Sequence, residues 1–408
     1  MNFANSNRML VRAKKSIPVQ TQCFSKGPNY FPIGASPLFM EKGQGSHVWD
    51  IDDNEFIDYV LGLGPVTLGY NYPAVNKAIT DQMKKGMTFS LPSPLEVELS
   101  EKIIEVVPCA EMVRFLKTGS EATQAAIRAA RAYTGRTHIA FRGYHGWHEW
   151  YSCQTERNKG IPLSYKNFMH QFEYNDIGTL EKIFEDYSLA AVIMEPMIVE
   201  PPIPGFLKKI RELCDAYGTV LIFDEVVTGF RWALGGAQEY FNVIPDLATF
   251  GKGVANGMPL SIICGKKEIM QQFEEIFVSS TLGGECLSLA ACLATINEMQ
   301  KKNTIEHNWK IGKMLMDGLR DIGIDTIGFP CRPIIQLEND TSELRSLLMQ
   351  EMIKRGVLIH NGLLINICFS HDRVDIGDTL VAFEDSLEAI KSGVELEGQV
   401  VKTAFRRL

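Results

Sequence analysis

Between residues 113 and 264 the chain keeps a strict rhythm: short apolar runs of strand length alternate with stretches of helical spacing. The apolar runs are 113–116, 138–141, 190–194, 220–223 and 260–264. The helical stretches are 121–133, 178–187 and 206–217. A strand with one wet face alternates apolar and polar residues, whereas a strand apolar throughout is buried on both faces. Such strands, separated by helices, predict an α/β fold with a mainly parallel sheet covered on both sides. Upstream, Leu95, Leu99, Ile103 and Val106 follow helical spacing over 94–107, and 47–60 reads as a hairpin turning at Asp53-Asn54. Residues 1–30 read as a polar, irregular arm. A long helix over 285–300 leads out of the large sheet region, and 301–408 mixes helices and short strands. The expected organisation is an arm and hairpin, 1–70, packing with a small α+β domain, 301–408, around a large domain, 71–300.

Composition removes several functional classes. The net charge is −8, with no basic stripe, so a nucleic-acid partner is not expected. No run of about 18 apolar residues exists to span a membrane. The first twenty residues carry basic side chains but no apolar core of the kind a secretory signal needs. Nine cysteines, with no CxxC pair, read as free thiols in a reducing cytoplasm. Neither Cys nor His shows metal-ligand spacing, and no metal site is expected.

In open α/β sheets ligands bind beyond the carboxyl ends of the strands. Three such ends carry chemistry here, and a fourth candidate, Lys252, lies just before the apolar run 260–264. After 113–116 come Gly119 and Ser120 at a helix N-terminus, where free N–H groups, a hydroxyl and the positive dipole end suit a phosphate. A plain N-cap by Ser120 reads the same residues without a ligand. After 138–141 comes a loop in which two glycines punctuate Tyr144, His145, Trp147, His148 and Trp150. It is either a platform for a flat ligand or a packed surface loop. After 220–223 stands Asp224, a carboxylate at the end of an apolar strand, which needs a cation or donors to meet it. A salt bridge within the protein and a protonated ring nitrogen both fit. Lys252, flanked by Gly251 and Gly253 among few charges, is either a solvated lysine or a desolvated amine able to form a Schiff base. Together these are the parts that pyridoxal phosphate requires.

The run 222–231 (IFDEVVTGFR), with 246–252 (DLATFGK) downstream, resembles the signature of the class III (omega) aminotransferases. The resemblance continues through Thr118–Ala122, Tyr144-His145-Gly146, Glu195-Pro196 and Ser280–Gly284, most closely over 34–300. It implies fold type I, the aspartate aminotransferase architecture, and a cytoplasmic homodimer with shared active sites. By resemblance Lys252 carries the cofactor and shuttles the proton, and Asp224 pairs with the pyridinium nitrogen. Val226 and Tyr144 cover the two ring faces. Gly119 and Ser120 hold the phosphate, which Thr281 reaches from the neighbouring subunit. His145 and Glu195 lie beside the cofactor, and Glu200 occupies the place of a gating carboxylate.

Within the family the chain is most similar to glutamate-1-semialdehyde aminomutase and its aminotransferase relatives. The arginine that pairs with the gating glutamate in ornithine- and GABA-type relatives has no counterpart in 364–371. The aminomutase's N-terminal arginine is also missing, because no arginine occurs between Arg12 and Arg114. A lysine point charge does not replace an arginine fork on a carboxylate. The stretch 24–37 and the loop with Trp147, His148 and Trp150 resemble aminotransferases acting on keto-sugars of surface-glycan biosynthesis, such as 8-oxo-3-deoxy-octulosonate. Three readings follow: transfer from an amino acid, glutamate above all, to a carbonyl acceptor; the aminomutase reaction of tetrapyrrole precursor synthesis; or a scaffold that binds cofactor without turnover. An intact Lys252 and Asp224 speak against the last.

Overall fold

A computed structural model describes residues 1–402. It divides the chain into two compact units, Met1–Tyr72 with the chain from Asn303 onward, and Pro73–Lys302.

In the first unit, β1 (Met40–Gln44), β2 (His47–Asp50) and β3 (Glu55–Asp58) form an antiparallel meander. The Asp50 carboxylate accepts the N–H groups of Asp52 and Asn54, both at 2.9 Å, and Asp53 turns the chain at φ +61°. The strand Val357–Leu358 adds in parallel to β3. Helices Thr304–Asp321, Ser342–Lys354 and Arg373–Lys391 enclose a core that includes Tyr59, Leu315, Met352, Ile365 and Phe383.

The expectation of an irregular arm over 1–30 is corrected. Ala4–Ser16 is an α-helix with Ser6, Leu10 and Ala13 buried along one face. Asn2 Oδ1 accepts the Ala4 N–H at 3.0 Å, and the next two N–H groups are met from 47 and 46 residues away, where Asp52 accepts Asn5 N–H at 2.7 Å and Ser6 N–H at 2.8 Å. A cap supplied from that distance leaves no local sequence signal.

The second unit holds a seven-stranded sheet. Its strands are β4 (Met112–Leu116), β5 (His138–Arg142), β6 (Met169–Gln171), β7 (Leu189–Met194), β8 (Val220–Asp224), β9 (Leu247–Phe250) and β10 (Ser261–Gly265), in the spatial order 4-10-9-8-7-5-6. The pairings from β9 across to β6 are parallel, while β10 runs antiparallel to both β4 and β9. All residues of β7, β8, β9 and β10 are buried, as apolar runs covered on both faces require. Helix Gly119–Thr134 packs on the sheet through Ala122, Ala125, Ala126, Ala129 and Ala130, whose small side chains let its backbone approach closely. Phe184, Phe206, Leu207 and Ile210, from helices Ile177–Asp186 and Phe206–Tyr217, belong to a second core with residues of β7 and β8. Among the described residues no helix is long and apolar enough to cross a membrane.

Candidate functional site

Every sequence-predicted site residue belongs to the second unit, most of them at or just beyond the carboxyl ends of β4, β5, β7, β8 and β9. Parallel strands bring these ends to one edge of the sheet.

Asp224 ends β8 and is 3% exposed. Its carboxylate is held from three directions. Oδ1 accepts the Val226 N–H at 3.1 Å and the Thr249 hydroxyl at 3.3 Å, and Oδ2 lies 2.7 Å from His145 Nδ1. The other His145 nitrogen, Nε2, faces the Arg142 carbonyl at 3.2 Å. Both of its partners are acceptors, and the shorter, charge-assisted contact is the one to Asp224. His145 is itself buried and stacks on Trp150, with ring centroids 5.8 Å apart and planes 18° apart. A buried carboxylate fixed in this way keeps its orientation.

Lys252 follows β9 through Gly251 and opens a short turn, Lys252–Ala255. Its φ of +41° is unusual for a residue with a Cβ and marks an over-determined position. The side chain is half-buried.

Between Asp224 and the helix N-terminus lies Val226. A Cβ added at Gly119 would approach its Cγ2 to 2.9 Å, and one at Gly251 its Cγ1 to 3.5 Å. The backbones of both glycines therefore pack close against Val226, at a distance that a side chain at Gly119 would not permit. The helix Gly119–Thr134 is capped by Thr118, in a capping box with Glu121, and not by Ser120. Ser120 is therefore a residue of the first turn, and the first N–H groups of this helix have no partner within it.

Ser120 Oγ accepts the Trp147 N–H at 2.9 Å and the His148 N–H at 3.3 Å, and lies 2.5 Å from His148 Nδ1. The loop closes on Ser120 only because Gly146 has φ +99°; a Cβ there would stand 2.2 Å from Ser120 Oγ. Thr123, which the sequence reading passed over, donates its hydroxyl to the His145 carbonyl at 2.7 Å and so ties the helix to the same loop. At the other end of the loop, Glu195 accepts the Tyr144 N–H at 2.7 Å. Glu195 is 6% exposed, and a Cβ at Gly143 would meet its Oε1 at 2.9 Å.

The remaining predicted residues lie outside this buried cluster. Trp147 is 72% exposed and stacks on His148 with centroids 4.7 Å apart. Glu200 is exposed between β7 and helix Phe206–Tyr217, and Thr281 is exposed in a turn before helix Cys286–Lys302. Thr249 was missed because β9 mixes Ala and Thr into a short run that does not read as a strand. Glu225, next to Asp224, has a structural task. It is fully buried and accepts the N–H groups of Ala237 and Gln238 at 2.7 and 2.8 Å, together with the Thr228 hydroxyl. Burial pushes its carboxyl above the ordinary range, against those hydrogen bonds.

The donor set fits pyridoxal phosphate: an oriented buried carboxylate, an amine, and a helix N-terminus of the kind that receives a phosphate.

Comparison with known proteins agrees with this geometry. The family described as aminotransferase class-III matches residues 30–328. A 3-aminobutyryl-CoA aminotransferase of Cloacimonas acidaminovorans is 35% identical, over 96% of this chain and 98% of its own length. A glutamate-1-semialdehyde 2,1-aminomutase 2 of Brevibacillus brevis is 36% identical, over 91% and 98%. Among solved structures, the FumI protein of Sphingopyxis sp. MTA144, in its PLP internal aldimine form, superposes with a TM-score of 0.91. It is 26% identical and covers 96% of this chain and 98% of its own.

Proposed function

This chain belongs to the class-III aminotransferase family, and we propose that it moves an amino group from an amino acid donor, glutamate, to a carbonyl acceptor with pyridoxal phosphate as cofactor. The observation that carries this reading is the Asp224 carboxylate, buried and triply held, on the sheet edge it shares with Lys252 and the helix N-terminus. When bound, pyridoxal phosphate supplies the carbonyl that takes up nitrogen and a protonated ring that draws electrons from the substrate α-carbon. The residues do the rest. Asp224 keeps the ring-nitrogen proton in place, and His145 and Thr249 keep Asp224 in place. Val226 and Tyr144 flank the ring. The N–H groups of Gly119 and Ser120 hold the phosphate at the positive end of the helix. Glu195, fixed by the Tyr144 N–H, would lie near the phenolic oxygen of the cofactor. The Lys252 amine takes the α-proton and returns it.

For the acceptor we favour a keto-sugar, such as 8-oxo-3-deoxy-octulosonate. The support is Trp147, an exposed indole face at the loop that closes on Ser120, which suits packing against a polyol. On this reading the exposed Glu200 serves as the gating carboxylate at the mouth. The named substrates of the relatives differ from one another, a coenzyme A thioester in one and glutamate-1-semialdehyde in the other, so identity alone does not choose the acceptor. The aminomutase reading has its support in the name of the second relative. Against it stands the absence of any arginine from 13 to 113.

Two copies of the chain sharing their sites complete the proposal, with Thr281 reaching the neighbouring phosphate. Met83, Met87, Phe89 and Leu91, all at least half exposed, form the kind of apolar surface that a second subunit covers.

The visible spectrum of the purified protein tests the reading. A yellow band that L-glutamate converts to the pyridoxamine form establishes the external donor, and keto-sugars then compete with glutamate-1-semialdehyde as acceptors. A band indifferent to glutamate but responsive to glutamate-1-semialdehyde favours the aminomutase. No chromophore after addition of pyridoxal phosphate overturns the role given to Lys252.

A further inference from the structure

His148 stands apart from the acceptor role its neighbour Trp147 suggests, because its imidazole is committed to Ser120. The Ser120 oxygen has two lone pairs and one proton. The N–H groups of Trp147 and His148, at 2.9 and 3.3 Å, occupy the lone pairs. The hydroxyl proton therefore points to His148 Nδ1 at 2.5 Å, and the neutral ring carries its own proton on Nε2. Ser120 cannot give that same proton to a phosphate oxygen while Nδ1 holds it.

Resting on the phosphate role assigned to Gly119 and Ser120, we propose that His148 is a positioning residue for the cofactor phosphate. In its neutral form it holds the Ser120 hydroxyl proton, and on taking up a proton from solvent it releases that hydroxyl to phosphate. In the charged form Nδ1–H donates to Ser120 Oγ in place of the longer amide contact, and the hydroxyl turns outward. Phosphate binding is then coupled to proton uptake.

The surroundings favour such a coupling. Burial pushes the His148 imidazole below its ordinary value, opposed by Glu121, the charged group facing it from helix Gly119–Thr134. The carboxylate of Glu121 accepts the N–H groups of Lys117 and Thr118 at 2.9 and 2.8 Å. On the ring's own segment Glu149 is exposed, and on the stacking side Trp147 carries no charge. A phosphate dianion arriving at this helix end is the partner that makes the imidazolium favourable.

The test is calorimetric binding of pyridoxamine 5′-phosphate to the full-length apoprotein. It is run from pH 6 to 8.5 in buffers of differing ionisation heat, with unphosphorylated pyridoxamine as control. His148→Asn keeps an acceptor near the Nδ1 position but cannot take a proton. We expect wild type to take up more protons on binding than His148→Asn. Its affinity should exceed the variant's by about tenfold at the acidic end, the size of a charge-assisted contact, and approach it at the alkaline end. Ser120→Ala, which removes the shared hydroxyl, should likewise lose the extra proton uptake. Equal proton uptake and parallel pH profiles in wild type and either variant overturn the proposal. Failure of pyridoxamine 5′-phosphate to bind wild type, or binding no tighter than pyridoxamine, overturns the phosphate assignment itself.

Discussion

At the scale of single residues, the site depends on one carboxylate being held still. Asp224→Ala should leave a protein that still binds cofactor but reacts with an amino donor about 10²-fold or more slowly, as for loss of a preorganised electrostatic group. Thr249→Val removes a single hydrogen bond, a long one at 3.3 Å, to the same carboxylate and should slow the half-reaction by only about two- to tenfold. Stopped-flow absorbance separates the two, and equal effects would mean that Thr249 does more than orient Asp224. Two histidines in the first unit predict opposite pH responses. The hydrogen bond to Asp375, at 3.0 Å, raises His47, with burial opposing and Glu55 assisting. Its contribution to stability is complete below the unfolded value of about 6.5 and is lost as pH rises through the higher folded value. His371, stacked on Tyr59 at 4.7 Å, is pushed down to about 4 by burial. The unfolded chain takes up its proton first, so His371 destabilises progressively as pH falls from about 6.5 toward that value. His47→Gln should flatten the alkaline side of the stability profile and His371→Asn the acid side, read by urea denaturation. A profile unchanged by both would contradict the two environments described.

At the scale of elements, what the sequence revealed depended on where each element's partners lie. The helices over 94–107 and 206–217 carry their own periodicity, the strands β7 and β8 their own unbroken apolar runs, and all were legible. So was the loop 143–150, because glycines between rings are a local signal. The helix Ala4–Ser16 was not, because its cap comes from Asp52 and its buried face is only three residues wide. β6 and β9 were not, being three and four residues long. Thr123 and Thr249 escaped for a related reason: a hydroxyl's partner is set by the fold and not by the residue type. The remote cap makes its own prediction. Asp52→Ala should destabilise the N-terminal helix by about 1 kcal/mol, as lost caps do. Hydrogen exchange over 4–16 should then quicken while exchange in the sheet of the second unit stays the same. Unchanged exchange over 4–16 would show that packing alone holds the helix.

At the scale of the whole molecule, the buried cluster around Asp224 and Ser120 lies within the single unit Pro73–Lys302, so a ligand that binds there stabilises that unit. Pyridoxamine 5′-phosphate at 100 times its dissociation constant should add about 2.7 kcal/mol to unfolding, and differential scanning calorimetry should register a higher melting temperature. A scan unmoved at saturation would place the ligand elsewhere. The sheet of that unit also has an order in time. Its edge strand β4 pairs with β10 alone, a strand made some 145 residues later by the numbering of Leu116 and Ser261. The same pair carries the Ser261 hydroxyl, 2.7 Å from the Thr118 carbonyl at the start of helix Gly119–Thr134. During synthesis from the N-terminus, the β-strand that presents Gly119 and Ser120 waits unpaired on the ribosome until residue 265 has emerged. A nascent chain that already displays Asp224 therefore has not yet paired the strand that leads into helix Gly119–Thr134.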